Sequence, residues 1–150
     1  MKRVFREAEQ NGSVLFKDVI SFDTAFLIKQ KIYNPYSNEL DRKAIINAAR
    51  TMMKNFFEKE KLSDTGVWLG EIHYNTKHFH VHITTTETIN TRKKMKDGQP
   101  RGKRVPSTIN QMKRDFGNEI SDNTRTTIRE QISELRNSLV YSTRNDAKRY

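Results

Sequence analysis

The run Glu71-Ile72-His73-Tyr74-Asn75-Thr76-Lys77-His78-Phe79-His80-Val81-His82-Ile83 holds all four histidines of the chain, three of them alternating with apolar residues. Successive side chains of a β-strand point to opposite faces. A strand over 78–86 therefore puts His78, His80 and His82 on one face and Phe79, Val81 and Ile83 on the other. Val67 to Tyr74 is also strand-like, and Tyr74-Asn75-Thr76-Lys77 can reverse the chain. A two-residue loop at Asn75-Thr76 or a four-residue loop over 74–77 predicts the same register, with His73 opposite His78 and Glu71 opposite His80. Cross-strand Cβ atoms lie about 5 Å apart, so the hairpin gathers up to four imidazoles and a carboxylate on one face. Clustered imidazoles lose basicity by mutual repulsion. A shared cation removes that conflict, because neutral imidazole is a common metal ligand. The plainer alternatives are a solvated histidine-rich strand or a remnant tag, and the apolar interleaving speaks against a tag.

At 150 residues the chain fits one domain, expected over 1–140, with a flexible tail over 141–150. Twenty-eight Lys and Arg against 18 Asp and Glu give a net charge of +10, which favours polyanionic partners. No apolar run approaches the roughly 20 residues of a membrane span, and the N-terminus has no signal-peptide core. With no cysteine there is neither a disulfide framework nor a thiolate site. These features fit a cytoplasmic protein without a membrane partner.

Outward from the hairpin, residues 1–11 read as a short helix ended by Gly12, and Ser13 to Phe22 as a strand. Asp18 interrupts the strand's apolar set, so it lies near an edge or faces the site. Asp23 or Thr24 caps a short helix to about Lys31, and Asn34-Pro35 and Ser37-Asn38 mark turns. Asp41 caps what reads as the longest helix, about 42–61, with Ile45, Ala48, Ala49, Met52, Met53 and Phe56 as its core stripe. Within the loop 87–106, residues 92–104 carry Arg92, Lys93, Lys94, Lys96, Arg101, Lys103 and Arg104 against Asp97 alone. The loop is expected to contact phosphate backbones. A helix from Pro106 or Ser107 turns Ile109, Met112, Phe116 and Ile120 inward, and a further helix over about 125–140 buries Ile128, Ile132, Leu135 and Leu139. The fold class is α+β: an antiparallel sheet carrying the histidine hairpin, covered by helices, with C-terminal helices. Tyr74 and Phe79 are aromatic candidates for base stacking.

Three phosphate chemistries use closely spaced histidines. Two-histidine phosphodiesterases need a second His-x-Thr/Ser pair, which this chain lacks. The run from His78 to Thr84 matches the histidine-triad nucleotide hydrolases over seven residues, but a basic loop is not needed for a mononucleotide. The third is the HUH endonuclease pattern, which His80-Val81-His82 fits, with His73 seven residues upstream. Asp18-Val19-Ile20-Ser21-Phe22-Asp23, Tyr33-Asn34-Pro35, Gly66-Val67-Trp68, Ile72-His73-Tyr74-Asn75-Thr76 and Arg101-Gly102-Lys103-Arg104-x-Pro106-x-Thr108 occur in the order seen in MobL-type relaxases. The chain resembles that family of plasmid mobilisation and conjugation proteins over roughly 1–135.

The resemblance implies nicking and strand transfer of single-stranded DNA at a transfer origin. A tyrosine attacks one phosphodiester, leaving a 5′-phosphotyrosyl link and a free 3′-hydroxyl. His73, His80 and His82 would ligate one Mn²⁺ or Mg²⁺, with imidazole better suited to Mn²⁺. Glu71 and His78 would stand behind these ligands, Glu71 orienting the His80 ring. Relaxosome accessory proteins are the implied protein partners. The family's nucleophilic tyrosine is expected upstream of the part matching residues 1–12, which makes this chain read as a relaxase domain without its front end. Tyr33 is the internal candidate, with Tyr36 beside it, although a structural hydroxyl in a Tyr-x-Pro turn is the plainer role for Tyr33. A non-cutting, DNA-binding remnant is the alternative.

Overall fold

The computed structural model describes residues 1–74 and 78–147, with side chains except those at 123, 127 and 139–147. The elements run α1 (Lys2–Gln10), β1 (Phe16–Phe22), α2 (Thr24–Lys29), β2 (Tyr33–Asn34), β3 (Glu39–Leu40), α3 (Arg42–Glu60), β4 (Gly66–His73), β5 (Phe79–Glu87) and α4 (Pro106–Ala147). β1, β5 and β4 form an antiparallel sheet in that order, and β2 and β3 a separate small ribbon. The class is α+β, as the alternating and helical periodicities predict.

Period-two alternation divides β5 cleanly. Phe79, Val81 and Ile83 are buried and join the α3 stripe Ile45, Ala48, Ala49, Met52, Met53 and Phe56 in one core, with Met112, Phe116 and Ile120 of α4. Leu27 and Ile32 close that core from α2 and the turn after it. The caps follow the sequence: the Asp23 carboxylate accepts from the Ala25 amide at 3.0 Å and that of Asp41 from the Ala44 amide at 2.9 Å. These bonds satisfy amides that the first helical turn leaves without partners. α1 crosses the opposite face of the sheet only at its far end, where Phe5 and Glu9 approach Leu69, Thr84 and Thr86. The histidine end of that face carries no helix.

Five expectations differ from the structure. β4 and β5 pair His73 with His80 and Glu71 with His82, two residues along from the predicted register. The reversal takes in Tyr74 to His78, and its expected turn residues at 75–77 lie outside the described residues. A two-residue shift preserves which face every side chain occupies. α4 is the longest helix, a single element of 42 residues, because the stretch Ser121-Asp122-Asn123-Thr124 does not break it. The Thr124 hydroxyl instead bonds back to the Ile120 carbonyl at 3.2 Å and to the Gln30 carbonyl at 2.8 Å. Ile109, expected inward, is 39% exposed, because α4 turns its next stripe residue, Met112, into the core. The expected second stripe is also not buried. Exposure climbs from 37% at Ile128 to 45% at Ile132 and 65% at Leu135 as the helix leaves the body, while the Leu139 side chain lies outside the described ones. The helix continues through the expected tail to Ala147, and 148–150 lie outside the described residues.

The entry to β4 is sterically closed. A Cβ at Gly66 would sit 2.8 Å from both the Leu62 carbonyl oxygen and the Phe57 ring, and the former is backbone. Gly66→Ala is therefore expected to lower stability by about 1–3 kcal/mol through overpacking, read as a reduced urea midpoint with an unchanged slope.

Candidate functional site

β5 is central, so the histidine face draws side chains from three strands. His80 lies beside His73 of β4 and Ser21 of β1, and His82 beside Glu71 and Val19. All these residues share one side of the sheet, and Val19 is 57% exposed, so the shelf is open to solvent. The His73 and His82 ring centroids are 4.5 Å apart and those of His80 and His82 6.4 Å. His78 is exposed, its ring 6.4 Å from that of His80. Glu71 is not the partner of His80 that the predicted register made it; its carboxylate lies 3.5 Å from His73 Nε2. Nδ1 of His80 is buried with no hydrogen-bond partner among the described residues.

That arrangement can be tested against a metal. With a metal–nitrogen distance of about 2.1 Å, two imidazoles on one ion have centroids roughly 4.5 Å apart when adjacent and roughly 6.4 Å when opposite. His73 and His82 already meet the first spacing. His80 and His82, neighbours on one strand, must close by about 2 Å to do so. In agreement, no group of three His, Asp or Glu side chains among the described residues is arranged to hold an ion as it stands. Nδ1 of His80 is a nitrogen without a competing bond among the described residues. The three rings share one face of the sheet, and as described they do not surround a single ion.

Tyr33 does not face this shelf. Its ring lies 4.8 Å from that of Phe79, on the core side of the sheet, and its hydroxyl donates to Asn38 Oδ1 at 3.0 Å. Tyr36 projects from the β2–β3 turn and is 98% exposed. The structural hydroxyl reading of Tyr33 matches these contacts.

The basic loop divides into two sets. Arg104 is turned inward: it pairs with Asp18 at 2.6 Å, and its side chain is 6% exposed. Its guanidinium carbon lies 4.3 Å from the Phe16 ring centroid and 4.5 Å from that of Phe56. Asp18 thus lies on an edge strand but faces away from the histidines. Arg92 donates from Nε to the Arg101 carbonyl at 2.7 Å and from its Nη2 to the Lys103 carbonyl at 3.2 Å. Burial holds its guanidinium below the ordinary arginine value, opposed by the nearby carboxylates of Glu87 and Glu60. These two residues brace the loop through contacts within the chain, which sets them apart from its exposed cations. Lys93, Lys94, Lys96, Arg101 and Lys103 remain exposed, on a small turn closed by the Lys94–Pro100 bridge. The loop is anchored at Phe16, which pairs with Thr85, five residues along β5 from His80. At about 3.3 Å per residue, roughly 17 Å separate the anchor from the histidines.

Sequence reasoning missed Arg42. It is the first residue of α3, where the helix dipole disfavours a cation, and it donates from Nη1 to the Tyr74 hydroxyl at 3.0 Å. A cation at that disfavoured position was the available signal.

No helix among the described residues is long and apolar enough to cross a membrane. A family model describing MobL relaxases matches residues 1–150. No curated protein and no solved structure matches the chain.

Proposed function

This chain belongs to the MobL relaxase family, and from that premise we propose that it nicks and transfers single-stranded DNA at a transfer origin in the cytoplasm with a divalent cation. The observation that carries the proposal is three imidazoles, His73, His80 and His82, on an open face of a sheet whose other face is core. These residues would hold Mn²⁺ or Mg²⁺, and the cation would neutralise charge growing on the scissile phosphate. Glu71 steadies the His73 ring. Lys93, Lys94, Lys96, Arg101 and Lys103 hold the backbone of the strand farther along the sheet. Family membership sets aside the histidine-triad nucleotide hydrolase.

Incubating the protein with a supercoiled plasmid bearing the cognate origin and Mn²⁺ tests this reading. Nicked circles with protein covalently attached are the expected result; their absence overturns it. A second reading, a DNA-binding module that does not cut, is favoured by the position of Tyr33 and Tyr36 away from the histidines. It predicts binding without a covalent adduct.

Either reading makes affinity fall with salt, because phosphate contacts release counterions. Alanine at the five exposed loop cations is expected to flatten the plot of log affinity against log salt by about 0.7 for each phosphate that is no longer neutralised. An unchanged slope, measured by fluorescence anisotropy, removes the loop from the interface.

A further inference from the structure

Behind the histidine shelf, at the same end of the sheet, a pocket of about 220 Å³ is lined by Thr24, Tyr33, Asn38, Arg42, Tyr74 and Phe79, with Leu40. Three aromatic rings meet there: Phe79 lies 4.8 Å from Tyr33 and 6.1 Å from Tyr74. The Arg42 guanidinium carbon stands 5.7 Å from the Tyr74 ring centroid. Phe79 is a buried floor, while Tyr74 is 49% exposed and forms an outer wall. Aromatic faces with a guanidinium beside them stack planar, uncharged rings. Arg42 argues against a cationic ligand.

Beside the Thr24 hydroxyl, donors predominate among the polar groups. Asn38 Oδ1 already accepts from the Tyr33 hydroxyl, which leaves its Nδ2 as a donor. Arg42 uses one N–H on Tyr74 and has no carboxylate partner among the described residues, so its other N–H groups are available. The pocket thus offers donors to a flat ring. Among the bases, guanine presents two adjacent acceptors, O6 and N7, whereas adenine sets a donor beside N7. Tyr74 and Phe79 are the immediate neighbours of His73 and His80 along their strands. They face the other side of the sheet, so a strand whose phosphate lies over the histidines delivers a base to the pocket only where it passes round the end of the sheet.

We propose that the pocket walled by Tyr33, Arg42, Tyr74 and Phe79 takes one unpaired base of the bound DNA strand and prefers guanine. The proposal rests on the single-stranded DNA reading above. It is tested by anisotropy in EDTA, so that no cleavage intervenes, with fluorescein-labelled d(AAG)4, dA12 and a 12-residue abasic strand. The wild type is expected to bind d(AAG)4 roughly 5- to 100-fold more tightly than the abasic strand, as one stacked base implies, and more tightly than dA12. Tyr74→Ala should erase the advantage over the abasic strand. Arg42→Lys should keep the charge and the salt slope but lose the preference for guanine, since lysine lacks the fork. Both positions are exposed enough that the fold should survive. Equal binding of all three strands, or variants that behave as wild type, overturns the pocket while leaving DNA binding intact. Binding to none of them overturns both.

Discussion

Replacing Arg104 by alanine is expected to destabilise the fold by about 3 kcal/mol, lowering Tm by roughly 9 °C for a chain of this length. The change leaves the half-buried Asp18 carboxylate without its partner at 2.6 Å. It also removes the guanidinium that packs against both Phe16 and Phe56. Three elements are unpinned at once: the edge strand, α3 and the end of the basic loop. Arg104→Lys is expected to recover less than half of the loss, because an ammonium keeps the charge but neither the planar stack nor the two-pronged bond to Asp18. Double substitution with Asp18→Asn separates the terms: it should cost less than the single change, since no uncompensated charge remains. Urea unfolding of the four proteins measures the coupling. Additive losses would show that Arg104 acts through packing alone.

The opposite profile is expected at the histidines. His80→Ala should lower nicking by at least about 100-fold, the range found when a group that stabilises transition-state charge is lost, yet leave stability within about 0.5 kcal/mol of the wild type. Nδ1 of His80 is buried without a partner among the described residues, so removing the ring discards an unsatisfied polar atom. Metal linkage gives a second readout. Mn²⁺ at 100 times its dissociation constant should stabilise the wild type by about 2.7 kcal/mol, and this increment should vanish in His73→Ala, His80→Ala and His82→Ala. Thermal unfolding with and without Mn²⁺ checks it independently of any DNA substrate. An undiminished increment in all three variants would remove these histidines as ligands.

The α+β class, the caps of α2 and α3, the α3 stripe and the shared face of the histidines were all legible in the residues, because each follows from a local period or a local hydrogen bond. Register was not. Alternation fixes faces but is blind to a shift of two, and Tyr74 to Lys77 offered a shorter turn than the chain uses. Arg104 reads, with its six neighbours, as a loop cation, since its partners Asp18 and Phe56 lie 86 and 48 residues away and only tertiary packing joins them. Tyr33 lies near a strand end in sequence, but the sheet stands between it and the shelf. The continuous α4 was hidden by Ser121 to Thr124, a run of capping residue types; here Asp122 pairs with Arg125 along the helix, and the Thr124 hydroxyl bonds back to Ile120 and across to Gln30.

Since β5 turns His80 and His82 to the open face and its odd-numbered residues to the core, the strand separates its imidazoles from its architecture by parity. Substitutions in the former set are expected to disturb the core less than substitutions in the latter. A single residue inserted ahead of Phe79, with the turn held fixed, would exchange the two sets, sending imidazoles inward and Phe79, Val81 and Ile83 out into water.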